Sequence, residues 1–165
     1  MSIDQRLSEL SLHVNGAEVR FEAPGDERLI ETLRQRVGVR SVRESCGIGV
    51  CGTCTVLVDG KPVSSCLMFT GQAVGRMVTT SEGLVDEDGS LDPVQEAFVD
   101  KGAYQCSFCI PAMVLTVRAF LDGRDGARGS LDDLREYLGG NLCRCGSYPE
   151  ILDAAAALLN EGARR

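Results

Sequence analysis

The 165-residue chain has no apolar run near the roughly 20 residues that a membrane-spanning helix needs. It has no surplus of positive charge either. Seventeen lysines and arginines face 24 aspartates and glutamates, for a formal net charge of −7. An acidic chain repels phosphate backbones, which excludes nucleic acid as a natural partner. The opening residues MSIDQRLSEL lack the basic and apolar stretches of a secretory signal, and the one Arg-Arg pair is Arg164–Arg165. The expected location is cytoplasmic. No nucleophile–base arrangement, phosphate loop or dinucleotide fingerprint occurs, so substrate chemistry is expected on another chain. The single histidine, His13, alternates with Leu12 and Val14 and is expected to face outward, not to bind metal.

What the chain does have is eight cysteines. Cytoplasmic conditions keep thiols reduced, and eight is too sparse for a disulfide scaffold in a chain of this length. Patterned cysteines are then expected to hold metal. They form two sets, Cys46, Cys51, Cys54 and Cys66, then Cys106, Cys109, Cys143 and Cys145. Between them lies the acidic, glycine-bearing stretch TTSEGLVDEDGS, with little to bury. The division predicts two domains, residues 1–80 and 92–165, joined by a connector over 81–91.

The first half reads as strands around one helix. Asn15-Gly16 and Asp59-Gly60 each join two short alternating runs, the strongest short hairpin signal. Leu29, Ile30, Leu33 and Val37 share one helical face, and Gly38 suits the position after the helix. RMVTT (76–80) is expected to close the sheet. The second half reads as four amphipathic helices in a compact bundle. They open at Asp92-Pro93, at Pro111, at Ser130, and at a Ser147–Glu150 capping box. Apolar positions at helical spacing include Met113, Val117 and Phe120, then Leu134, Tyr137 and Leu138, then Ile151 and Ala155. The fold class is therefore α+β.

The first cysteine set is C-x4-C-x2-C with Cys66 further on, the plant-type spacing for a [2Fe–2S] cluster. The cluster is an anion and gains charge on reduction, so backbone N–H groups must be aimed at its sulfurs. Gly47, Gly49 and Gly52 supply the unusual φ values this requires, and Ile48 and Val50 can shield it from water. Zinc fits poorly, because Cys66 is solitary. The second set, C-x2-C then C-x-C, suits a metal cluster placed at helix ends, with zinc as the rival on spacing alone.

QCSFCIPAM (105–113) and GGNLCRCGSY (139–148), with SCGIGVCGTCTV (45–56) and DPVQEAF (92–98), resemble the iron–sulfur (small) subunit of the molybdenum hydroxylases, the xanthine oxidase family. The resemblance runs from about residue 11 to about residue 160. It implies a plant-type ferredoxin-like β-grasp domain followed by a four-helix bundle domain, each holding one [2Fe–2S] cluster on its four cysteines. It implies a molybdopterin on a large partner subunit and FAD on a medium one, in a heterotrimer that can pair into a dimer. Electrons then pass from molybdenum through the two clusters to FAD. It also implies that Gln105 and Cys145 lie against the pterin. A free-standing two-cluster carrier and a zinc-stabilised interaction module are the alternatives.

The departures from the family pattern are local. Ser107, Ile110 and Ala112 stand where Gly, Thr and Gly are usual, and Gly146-Ser147 stands where Thr-Gly is usual. Ile110 has no side-chain oxygen to cap a helix, so a cysteine sulfur is the expected substitute. Arg144, between two thiolates, is expected to offset cluster charge or to order the loop.

Overall fold

The computed structural model describes residues 7–86, 88–123 and 129–162. The rest of the expected domain ranges lies outside the described residues.

Strands β1 (Leu7–Val14) and β2 (Ala17–Pro24) pair antiparallel from Val14–Ala17 outward. Their turn places Asn15 at φ 52° and Gly16 at φ 82°, the left-handed pair that a tight hairpin needs. Strands β3 (Thr55–Val58) and β4 (Lys61–Ser64) turn the same way at Asp59-Gly60. The short β5 (Met77–Thr79) lies parallel to β1 and antiparallel to β3, giving the order β2-β1-β5-β3-β4. Helix α1 (Leu29–Gln35) buries Leu29, Ile30 and Leu33 on Leu12, Val14, Val56, Val58 and Val78. It is shorter than the expected 28–37, and Gly38 follows at φ 85°.

Four helices make the second half: α2 (Pro93–Asp100), α3 (Ile110–Asp122), α4 (Leu131–Tyr137) and α5 (Tyr148–Gly162). Asp92 caps α2 through the Val94 N–H at 2.8 Å, while Gln95 Oε1 returns to the Asp92 N–H at 3.1 Å. Ser130 and Asp133 make the same reciprocal cap on α4. The helices bury Val94, Phe98, Met113, Val117, Phe120, Leu134, Leu138, Ile151 and Ala155 together. Tyr137 is 40% exposed, not buried as its spacing suggested, although its ring tilts against Phe120 at 5.4 Å.

The expected connector is more than a loose linker. Leu84 packs partly on Leu57, Leu115 and Ala119, a small apolar seam between strand β3 and helix α3. The Glu82 carboxylate accepts the N–H groups of Arg40 (2.8 Å) and Ser41 (2.9 Å) and the hydroxyls of Ser41 and Thr80, both at 3.0 Å. This binds the connector to the segment that leads into the first cysteines. No helix among the described residues is long and apolar enough to cross a membrane.

Candidate metal centres

Residues 39–54 run from α1 to β3 without regular structure. Gly47, Gly49 and Gly52 hold φ values of 67°, 78° and 64° there, as the expected loop requires. The Ile48 N–H lies 3.5 Å from Cys46 Sγ. That N–H first, then the Cys51 thiol and the N–H groups of Cys51 and Val50, bring the Cys46 pKa down to about 6. Cys54 lies deeper. Burial, with its neighbour Cys66, pushes its thiol up to about 11. Cys51 thus favours the charged form of Cys46, while Cys54 responds to both Cys66 and Cys51. At the loop entrance, Arg28 clamps Glu44 (2.7 Å) and Glu31 (2.9 Å).

The second set assembles from two helix approaches. Cys109 stands immediately before α3, and Cys143 and Cys145 precede α5. The Phe108 N–H lowers Cys106, and burial carries Cys109 up to about 12. Here Cys145 also favours the charged form of Cys106, and Cys143 opposes that of Cys109. Burial also opposes ionisation of Cys143, but the N–H of Ser147, the Cys109 thiol and the N–H groups of Cys145 and Gly146 outweigh it and lower its pKa. Tyr148 braces this loop: its hydroxyl accepts the Cys143 N–H at 2.8 Å and donates to the Asn141 carbonyl at 3.1 Å.

Two expected caps are corrected here. The Cys109 sulfur takes no N–H of α3, so it does not replace the missing oxygen at Ile110. The Ser147 hydroxyl does not cap α5, because it is buried with no hydrogen-bond partner. Its carbonyl still accepts the Ile151 N–H at 3.0 Å, the ordinary first bond of the helix.

The two cysteine loops touch. The Leu142 N–H donates to the Cys51 carbonyl at 2.9 Å, and Asn141 Nδ2 donates to the Gly52 carbonyl at 3.0 Å. Asn141 Oδ1 in turn accepts the Thr116 hydroxyl of α3 at 3.1 Å. Arg43 reaches across to the Ser107 carbonyl at 2.5 Å and covers the Phe108 ring at 5.4 Å. A Cβ on Gly52 would overlap the Gly140 carbonyl, so only glycine permits this approach. Between the loops lies a cavity of about 440 Å³ bordered by Cys51, Cys106, Cys109, Cys143 and Arg144.

Other expected residues fall as follows. Gln105 and Cys145 are both exposed, and Gln105 Nε2 donates to the Cys145 carbonyl at 3.2 Å. Ile48 and Val50 are 68% and 60% exposed, so within this chain they do not seal the first loop from water. Arg144 is exposed at the cavity edge. His13 is half-buried on β1. Asn141, Tyr148, Arg43 and Glu82 escaped the sequence reading. Their partners stand far off in sequence or act through backbone groups, and only the placing of Asn141 and Tyr148 on either side of C-x-C hinted at a role.

The donor set fits an iron–sulfur cluster of two irons. Four thiols in each half offer two donors to each iron, and the Ile48 N–H already faces the Cys46 sulfur. Among the described residues no three His, Cys, Asp or Glu side chains group as ligands of one metal ion.

Residues 12–77 match the 2Fe-2S iron-sulfur cluster binding domain, and residues 80–156 match the [2Fe-2S] binding domain. The chain is 39% identical to the nicotinate dehydrogenase small FeS subunit of Eubacterium barkeri, over 86% of this chain and 88% of that protein. It is 38% identical to the xanthine dehydrogenase iron-sulfur-binding subunit of Escherichia coli O157:H7, over 85% of this chain and 87% of that one. Its fold matches a chain of quinoline 2-oxidoreductase from Pseudomonas putida 86 with a TM-score of 0.86 and 39% identity, covering 96% of this chain and 97% of that one. Aldehyde oxidoreductase from Desulfovibrio gigas matches at a TM-score of 0.83 and 34% identity, over 94% of this chain but 17% of that longer one.

Proposed function

This chain belongs to the iron–sulfur subunits of the molybdenum hydroxylase (xanthine oxidase) family, and from that premise we propose how its residues carry out electron transfer. Cys46, Cys51, Cys54 and Cys66 would hold one [2Fe–2S] cluster, and Cys106, Cys109, Cys143 and Cys145 would hold the other. The observation that carries this reading is the set of eight free cysteines, four within each matched cluster-binding domain. When bound, each cluster takes up and gives back one electron. The chain's own part is to hold the sulfurs, to aim N–H groups at them, and to keep the two loops in fixed contact.

Finer features belong to the same proposal. The sheet with α1 is a β-grasp, and α2 to α5 form a four-helix bundle. Gln105 and Cys145, joined and exposed, face the pterin of a large molybdopterin-binding subunit. The exposed Ile48 and Val50 are covered by a medium FAD-binding subunit, and the assembly is a heterotrimer in the cytoplasm. Electrons enter from the molybdenum side and leave toward FAD.

Iron, sulfide and zinc analysis of the purified protein, with electron paramagnetic resonance after reduction, tests the reading. Two distinct [2Fe–2S] signals are expected, with two larger chains copurifying. Iron at half that content, or zinc without iron and sulfide, would overturn it.

A further inference from the structure

Ser147 is 1% exposed, and among the described residues its hydroxyl is the one buried side-chain polar atom without a hydrogen-bond partner. Leaving a buried hydroxyl unsatisfied costs about 1–3 kcal/mol, so such atoms in native proteins call for a partner. The usual partner for a serine before a helix is an N–H of the first turn, and Ser147 takes none on its hydroxyl. Its backbone is committed on both sides. The Ser147 N–H favours the charged form of the Cys143 thiol, and its carbonyl accepts the Ile151 N–H at 3.0 Å. The residue is thus held against a cysteine of the helical half, with its one remaining donor unspent.

We infer that the Ser147 hydroxyl donates a hydrogen bond to a sulfur of the helical-half cluster and raises the reduction potential of that cluster. This rests on the assignment of Cys106, Cys109, Cys143 and Cys145 as its ligands. Reduction adds negative charge that spreads over the sulfurs, so a donor hydrogen-bonded there stabilises the reduced form more than the oxidised one. The effect is confined to one cluster, because Ser147 belongs to the loop of Cys143 and not to the loop of Cys46 to Cys54. Ser147 is a positioning and tuning residue: it transfers no electron itself.

The test is a redox titration followed by electron paramagnetic resonance on the cluster-loaded full-length protein, comparing the parent with Ser147→Ala and Ser147→Thr. In Ser147→Ala the helical-half signal is expected at lower potential, by up to about tenfold in its one-electron equilibrium (about 59 mV). The other signal should stay in place, and Ser147→Thr, which keeps the hydroxyl, should return toward the parent. Equal potentials in Ser147→Ala and parent, or an equal shift of both signals, overturn the inference. Where Ser147→Ala fails to load, Ser147→Gly, which also removes the hydroxyl, takes its place, and the same two outcomes support or overturn the inference. A parent protein with one [2Fe–2S] signal and half the iron would instead overturn the ligand assignment beneath it.

Discussion

The Leu142 N–H and the Cys51 carbonyl meet at 2.9 Å, so one peptide hydrogen bond ties a residue next to Cys143 directly to Cys51. Around it stand the Asn141 amide and the Arg43 guanidinium, each also reaching from one cysteine loop to the other. The loops form one polar joint, and several consequences can be measured.

Asn141 is 6% exposed and links Gly52 to Thr116. Asn141→Leu keeps the branched outline but removes these bonds and the one from Nδ2 to the Thr55 hydroxyl at 3.4 Å. A loss of about 1–3 kcal/mol in stability is expected, the cost of stripping buried polar groups of their partner. Thermal melting of the loaded protein checks this, and an unchanged midpoint would deny the joint its structural role.

Gly52→Ala and Gly49→Ala separate conformational strain from collision. Both positions have positive φ, which costs a non-glycine residue about 1–2 kcal/mol. At Gly49 the added Cβ meets only the exposed side chain of Leu67, which can swing aside. At Gly52 it meets the backbone of Gly140 and the amide of Asn141, which cannot. The Gly52 variant should melt well below the Gly49 variant, and equal melting would show that the loops yield.

Ser107 sits at φ 61°, a left-handed conformation in a residue that is not glycine. Ser107→Gly relieves the strain but gives the unfolded chain more freedom. The net expectation is a gain of up to about 1 kcal/mol, seen as a higher melting temperature. A drop would mean that the hydroxyl makes a contact worth more than the strain.

Acid should loosen the segment before Cys46. Burial opposes the charge of Glu82, but the N–H groups of Arg40 and Ser41 and the hydroxyls of Thr80 and Ser41 outweigh it and hold its carboxyl below the ordinary range. A depressed folded pKa gives stability that is full above the unfolded value, near 4.3, and that fades as pH falls through the folded value. Glu82→Gln should cost about 1 kcal/mol at neutral pH, allowing for solvent screening. The gap to the parent should narrow in melts below about pH 4. A gap independent of pH would remove the charge from the explanation.

Arg144 lies exposed at the edge of the cavity between the loops. Arg144→Leu is expected to lower the potential of one cluster only, since a nearby cation favours the more negative state. A redox titration that moves neither signal would leave Arg144 as a surface charge.

Much of this was legible in the sequence because the signals were local. Asn15-Gly16 and Asp59-Gly60 turned where their φ preferences dictated, and Asp92 with Gln95 capped α2 through neighbours three residues apart. The glycines of the first loop adopted the positive φ values that aiming N–H groups at sulfur demands. What stayed hidden depended on distance along the chain. Asn141 meets Gly52 across 89 residues and Arg43 meets Ser107 across 64, and neither pairing leaves a periodic trace. Ser147 misled for another reason. Its position reads as a helix cap, but its buried hydroxyl takes no N–H of the first turn.

The close approach of Gly52 to Gly140 also bears on engineering and descent. The two halves look separable, and a redox designer would be tempted to splice a foreign ferredoxin-like half onto this helical one. Such a chimera would bring its four cysteines yet lack the mating surface, unless the donor also carried a bare α-carbon at that spot and left the carbonyl before it free for Leu142. Mutational drift on either side is constrained by the other, so the halves should change in concert and not as interchangeable cassettes.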